Sequence, residues 1–264
     1  MLVLAAVGRA RFLKLRAAAA EQCEFVAATG WAEAVELIRH RPVEVAVVDP
    51  LLAGGAPRTH EIERLRVLFP SLPLLAYTAL APDSAAALLE LGRIGVRRAV
   101  FERFDDDPAS LRAALRQQME LAASQQVVQA LSECFAVLPE RLRWAVEATL
   151  HAGPDLPRVT DLAARARLRP RSCERWFART GLPSPNTVLR LARMLYAHRL
   201  LLDPGYTVED VALKLGYRKA KSLQMHLKDV FGLTAGELRV SLSPREAIEI
   251  VRARCEPGAR RAAS

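Results

Sequence analysis

The side chains with the most chemical capacity stand in two short stretches toward the C-terminal end. Lys221, Gln224, Met225 and Lys228 fall opposite an apolar stripe of Leu223, Leu227 and Val230, the spacing of one outward helix face. Ammonium groups on such a face can neutralise phosphates, and an amide such as Gln224 can pair bidentately with adenine. Met225 offers only apolar contact, for example with a thymine methyl. Arg218, Lys219 and Ser222 crowd the start of the same stretch. Earlier in the chain, Arg171, Ser172, Glu174 and Arg175 stand in the same way around Cys173 and Phe177. Arginine can pair with guanine and glutamate can accept from cytosine. A third group, Asp49 and Thr78, directly follows or closely trails two buried-looking apolar runs.

These faces need elements to carry them, and the apolar periodicity supplies two nearly identical pairs. Val208, Val211, Ala212 and Leu215 make one helical stripe, capped by Thr207 with Asp210 three residues on and broken at Gly216. Val159, Leu162, Ala163 and Ala166 repeat that spacing at a constant offset of 49 residues. The following stripes, Cys173 with Phe177 and Leu223 with Leu227, match at an offset of 50. Gly181 and Gly232 close the two units. Val188, Leu191, Ala192, Leu195 and Leu202 define one long helix between them, stopped near Asp203-Pro204-Gly205. A short helix, a tight turn and a second helix with a basic outer face describe a helix-turn-helix, here present twice.

This region resembles the DNA-binding domain of the AraC/XylS family of bacterial transcription regulators. The resemblance rests on Leu162-Ala163, Phe177, residues 190–202, and Val211-Ala212 with Leu215-Gly216-Tyr217. The ending Phe231-Gly232-Leu233-Thr234-Ala235-Gly236-Glu237-Leu238-Arg239 is similar to that family's usual close. Leu227 stands where an aromatic is usual, Cys173 where a larger aliphatic is usual, and Ala235 where proline is common. The resemblance implies that two recognition helices enter successive major grooves.

Charge agrees without reference to any family. Residues 1–120 carry no net charge and residues 121–150 carry −1, while residues 151–241 carry +8 and residues 242–264 carry +2. A cationic surplus confined to the paired units is what phosphate contacts require.

Upstream, apolar runs at residues 2–7, 44–48, 72–76 and 99–101, with a weaker one at 25–28, alternate with amphipathic stretches at 12–20, 32–39, 62–68, 84–91 and 108–121. That alternation predicts a flavodoxin-like, doubly wound parallel sheet, whose strand ends point into a crevice. Asp49 and Thr78 at those ends make the region look like a CheY-like receiver domain. In that family an aspartate after the third strand accepts a phosphoryl group and a Thr or Ser after the fourth contacts it. Such a site needs Mg²⁺ held by acidic groups and a lysine. Here the first strand ends Ala5-Ala6-Val7-Gly8-Arg9, with no acidic pair, and Glu102 stands near the lysine's place. Arg9 beside Asp49 would repel Mg²⁺. Asp49 and Thr78 are therefore expected to be vestigial, in a pseudo-receiver, with Asp49 paired to Arg9 or another base. Asp105-Asp106-Asp107 precedes Pro108 and a helix, so it is expected to cap that helix rather than hold metal.

The expected organisation is a receiver-like domain at 1–120, a helical linker at 121–154, an all-α double helix-turn-helix domain at 155–241 and a tail at 242–264. The helices of 121–150 offer a dimer seam or a support for the DNA-binding domain. The residues from His151 to Pro157 read as a linker, and the end of the tail as disordered. Cys23, Cys134, Cys173 and Cys255 lack ligand spacing and read as reduced core thiols. With no apolar run of about 18 residues and no signal-peptide pattern, neither membrane nor export is expected. The sequence thus predicts a cytoplasmic, non-enzymatic transcription regulator without cofactor, metal or catalytic residue. Its partners would be double-stranded DNA, RNA polymerase and a second copy in a homodimer. The alternatives are a phosphorylation-dependent response regulator with a divergent receiver and a protein-interaction scaffold.

Overall fold

Buried apolar runs assemble the N-terminal sheet: β1 (Leu2–Ala6), β2 (Glu24–Ala27), β3 (Val43–Val48), β4 (Leu74–Thr78) and β5 (Ala99–Phe101). The computed structural model describes residues 1–52, 57–151 and 158–257. Helices α1 (Arg9–Ala19), α2 (Trp31–His40), α3 (Thr59–Leu68), α4 (Pro82–Arg93) and α5 (Pro108–Glu120) alternate with the strands. All pairings are parallel, in the order β2-β1-β3-β4-β5. That is the order of doubly wound, flavodoxin-like folds, so the receiver-like expectation holds. Every residue of β1, β3 and β4 is buried, as helices on both faces demand. Strand β2 lies at the edge and is only half-buried, which is why its apolar signal was weak. The compact unit built on this sheet comprises Met1–Ala122 together with Asp203–Tyr206.

The second compact unit takes in Ala123–Leu202 and the described residues from Thr207 onward. It contains α6 (Ala123–Leu131), a 3-10 turn (Ser132–Phe135), α7 (Glu140–His151), α8 (Val159–Arg165), α9 (Pro170–Arg179) and α10 (Pro185–Leu201). These are followed by α11 (Val208–Lys214), α12 (Ala220–Phe231), α13 (Ala235–Ser241) and α14 (Pro244–Cys255). Helix α10 is nearly all buried because it packs against α6, α13 and α14 as well as both helix-turn-helix units. Its N-terminus is fixed by Ser184, whose hydroxyl accepts from the Thr187 amide, with Pro185 at the first helical position.

Two stretches differ from the sequence-based expectation. Residues 121–150 are more than a linker: Val127, Leu131, Phe135, Leu142 and Val146 are buried within the second unit. Helix α14 stands where a tail was expected, capped by a Ser243–Glu246 box and burying Ala247, Val251 and Cys255. Its inward stripe is made of residues one turn apart, and Pro244 stands at its first helical position. Residues 152–157, most of the expected linker, and residues 258–264, the end of the expected tail, lie outside the described residues.

The internal repeat extends to individual backbone bonds. After α11, the Gly216 amide donates to Leu213 O at 3.0 Å and the Tyr217 amide to Ala212 O at 2.9 Å. After α8, the Arg167 amide donates to Ala164 O at 3.0 Å and the Leu168 amide to Ala163 O at 2.8 Å, the same bonds 49 residues earlier. Gly216 holds φ 72°, whereas Arg167 holds φ 51° with a side chain in a region that favours glycine. Arg167→Gly is therefore expected to stabilise the second unit by about 1 kcal/mol. Chemical denaturation followed by circular dichroism would read this, and an unchanged or lower midpoint would contradict it.

Candidate nucleic-acid interface and sheet crevice

Helices α9 and α12 turn their apolar stripes inward and leave the other face open. Cys173 and Phe177 of α9 are buried, as are Leu223, Leu227, Val230 and Phe231 of α12. Arg171, Glu174 and Arg175 of α9 are exposed and Ser172 is half-buried. On and beside α12, Arg218, Lys219, Lys221, Gln224 and Lys228 are exposed, Ser222 is half-buried, and Met225 is 60% exposed. Both faces thus present cations and hydrogen-bonding groups from a helix held on a buried stripe. No helix among the described residues is long and apolar enough to cross a membrane.

Local contacts fix where each helix starts and stops. Thr207 Oγ1 accepts from the Asp210 amide at 3.0 Å while the Thr207 amide donates to Asp210 Oδ2 at 2.8 Å, the capping box expected from their spacing. Gly232 ends α12 in the left-handed conformation at φ 74°. Tyr217 in the turn and His226 on α12 are 2.8 Å apart, hydroxyl to Nδ1. Burial, with Arg190 and Arg193 nearby, lowers the His226 pKa, so this ring stays neutral and the bond is available at neutral pH. Arg190 of α10 pairs with Asp229 of α12 at 3.2 Å. Trp176, exposed beside Arg175, carries the Arg179 guanidinium 5.6 Å from its ring centroid. Sequence reasoning did not single out His226, Asp229, Trp176 or Arg179, because helical phase alone does not reveal which side chains partner one another.

At the sheet crevice the structure gathers a different set. Asp49, directly after β3, is 2% exposed, and Thr78, the last residue of β4, is fully buried. Because β1 and β3 pair in register from Ala6 with Val48, the start of α1 lies beside Asp49. Of the expectation that Arg9 or another base pairs with Asp49, the structure gives the second: the base is Arg11, two positions beyond Arg9, which is exposed. Helix α1 begins at Arg9 rather than near residue 12, and that earlier start directs residue 11 into the crevice. One Arg11 nitrogen donates to Asp49 Oδ2 and another to Glu102 Oε2 at 2.8 Å. Its guanidinium also lies 5.8 Å from the Tyr77 ring centroid. Glu102 therefore shares a cation with Asp49 instead of facing it unopposed. Asp49 Oδ1 accepts from the Leu51 amide at 3.0 Å.

The acidic run after β5 divides its work. Asp107 caps α5 as expected, accepting from the amides of Ala109 at 2.9 Å and Ser110 at 3.1 Å. Asp106 accepts from the Tyr77 hydroxyl at 2.8 Å and from Lys14, and Asp105 accepts from the Phe101 amide. Burial alone would raise the Asp106 pKa, but these donors bring it below the usual carboxylate range. The same neighbourhood raises the Tyr77 phenol, mainly through burial and then through Asp106. No cluster of His, Cys, Asp and Glu suited to a metal occurs among the described residues. All four cysteines are free and buried, with burial pushing Cys173 up to about 11 and Cys255 to about 12. Such thiols are poor nucleophiles at neutral pH.

Paired helix-turn-helix units with open cationic faces define a DNA-binding regulator. Residues 162–241, which hold both paired units from within α8 onward, match the family described as helix-turn-helix domain. No curated protein matches the chain in sequence. Among solved structures, RcsB from Salmonella enterica serovar Typhimurium, bound to promoter rprA with BeF₃⁻, is 13% identical with a TM-score of 0.38. That match covers 86% of this chain and 98% of RcsB. FixJ from B. japonicum is 16% identical with a TM-score of 0.37, covering 86% of this chain and 97% of FixJ.

Proposed function

We propose that this chain is a cytoplasmic, sequence-specific transcription regulator that reads DNA with α9 and α12 and is not controlled by phosphorylation of Asp49. The observation that carries the reading is the pair of exposed, cation-bearing faces on helices whose apolar stripes are buried. Arg171, Ser172, Glu174 and Arg175 would meet one segment of the major groove. Arg218, Lys219, Lys221, Ser222, Gln224, Met225 and Lys228 would meet a second, about one helical turn away. The chain acts by binding rather than catalysis, with RNA polymerase and a second copy as its protein partners.

The test begins with selection of a preferred duplex from random DNA by the full chain. Arg175→Ala should then cost about 1–3 kcal/mol on the selected site and relax preference at one base pair. Equal weakening on selected and random duplexes would make Arg175 a phosphate contact, and failure of selection altogether would defeat the reading.

The internal cation favours loss of phosphoryl control. Aspartyl phosphorylation places a dianionic group beside a carboxylate, a repulsion relieved by a divalent ion and a lysine in active receivers. Here Arg11 already engages Asp49 and Glu102, and neither Mg²⁺-binding acid follows β1. Acetyl phosphate with Mg²⁺ is expected to leave both the mass of the chain and its DNA affinity unchanged. A phosphoryl mass shift on Asp49 with tighter binding would restore the phosphorelay alternative.

A further inference from the structure

Residues Asp203–Tyr206 follow α10 in the sequence and lead into α11, yet they belong to the compact unit of the N-terminal sheet. The turn closes on itself, with the Tyr206 amide donating to Asp203 O at 3.2 Å. Within that unit Asp203 Oδ1 accepts from the Ser71 amide at 3.0 Å, and Oδ2 accepts from the Ser71 hydroxyl. The Gly205 amide donates to Leu68 O at 2.7 Å, and Arg39 Nε donates to Gly205 O at 3.2 Å. The Tyr206 ring lies 4.9 Å from that of Phe69, centroid to centroid, and its hydroxyl reaches Ile38 O at 3.4 Å. Asp203 is 1% exposed and Tyr206 3%. A charged carboxylate is tolerated at that depth only with its acceptor capacity met, and the Ser71 amide and hydroxyl help to meet it.

Gly205 shows how close the approach is. A Cβ on it would lie 2.5 Å from Phe69 Cε1 and 2.7 Å from Leu68 O. Its φ is outside the left-handed region, so space rather than conformation requires the glycine. The next residue, Thr207, is the N-cap of α11. The held segment therefore ends one residue before the helix that opens the second helix-turn-helix unit.

We propose that the C-terminal ends of α2 and α3 and the turn after α3, through Arg39, Leu68, Phe69 and Ser71, form a docking site for the chain's own Asp203-Pro204-Gly205-Tyr206 turn. By fixing the residues that lead into α11, this clamp preorganises the second helix-turn-helix unit for DNA. Preorganisation strengthens binding because the ordering cost is met before the duplex arrives. This second half rests on the DNA-binding reading above; the clamp itself does not.

The test uses the full chain and the variants Gly205→Ala and Ser71→Ala. At an ordinary turn position with negative φ, Gly→Ala is neutral or mildly stabilising. The clamp predicts the reverse for Gly205→Ala: a lower melting temperature and amide exchange at Ser71 and at position 205 faster by about 100-fold, with helix and strand content retained. Ser71→Ala, which removes one bond without steric pressure, should speed exchange at Gly205 in the same direction. Affinity for the selected duplex should fall about 3–10-fold in both variants, while affinity for random DNA is unchanged. Gly205 exchanging at free-chain rates in the parent, or a raised melting temperature in Gly205→Ala, would overturn the clamp. Rapid exchange in the variants with undiminished selected-site affinity would overturn preorganisation. A parent chain that shows clamp protection but binds no DNA would sink the functional proposal and leave the docking site standing.

Discussion

Arg11→Ala is expected to destabilise the N-terminal unit by about 3–5 kcal/mol, the cost of breaking a buried ion pair from one side. Asp49 is 2% exposed, and the Arg11 side chain that meets it is itself largely covered. Removing the guanidinium leaves one buried carboxylate without its cation and a second, Glu102, without its nearest one. Water cannot readily make up the loss at such depth, and the Leu51 amide satisfies only one oxygen of Asp49. The companion Arg11→Met with Asp49→Leu removes both charges at similar volume and should recover most of the stability. Glu102→Gln alone should cost much less, because Glu102 is more exposed than Asp49. Denaturant midpoints for the parent and three variants would measure these differences. An Arg11→Ala chain as stable as the parent would mean that Asp49 does not depend on its internal cation.

That pair also marks where the sequence stopped being informative. The alternation of strands and helices, the strand ends and Asp49 were all legible, because burial imposes a period that survives in a single chain. An internal base for Asp49 was foreseeable from the cost of an unpaired buried carboxylate. The choice of Arg11 over Arg9 was not, since it turns on whether α1 begins at residue 9 or 12, and helix starts without a side-chain cap leave little trace. Gly8, which caps α1 without any side-chain bond, was the available signal. The second unit shows the same division. Thr207 with Asp210 announced α11 because a capping box is a local pattern. Helix α14 stands where a tail was expected although Ser243, Pro244 and Glu246 mark its start by the same local pattern; what the sequence does not show is that its stripe of Ala247, Val251 and Cys255 packs on α6 and α10. The docking of Asp203–Tyr206 was least visible of all. Asp-Pro-Gly reads as a turn, and nothing local says that Phe69 requires the glycine to lack a side chain.

Binding of the full chain to its selected duplex is expected to weaken by about three orders of magnitude between 50 and 200 mM monovalent salt. The +8 surplus of residues 151–241 is the starting point, and it is carried largely by exposed side chains on or beside α9 and α12. If roughly 6 phosphates are neutralised by the two faces, the slope of log K against log salt is about −5, each phosphate contributing about −0.9 through counterion release. A fourfold rise in salt at that slope gives the expected loss. Single substitutions then separate positioning from reading. Lys221→Ala and Lys228→Ala, if they remove phosphate contacts, should each make the slope shallower by about 1 and weaken selected and random duplexes alike. Gln224→Ala should leave the slope unchanged and lose discrimination, because an amide contributes directional hydrogen bonds without displacing a counterion. Met225→Ala should also leave the slope unchanged, with its effect confined to thymine-bearing sites. A slope near zero in the parent would mean that binding does not draw on these cations. The open faces of α9 and α12 would then have to serve a partner other than the phosphate backbone.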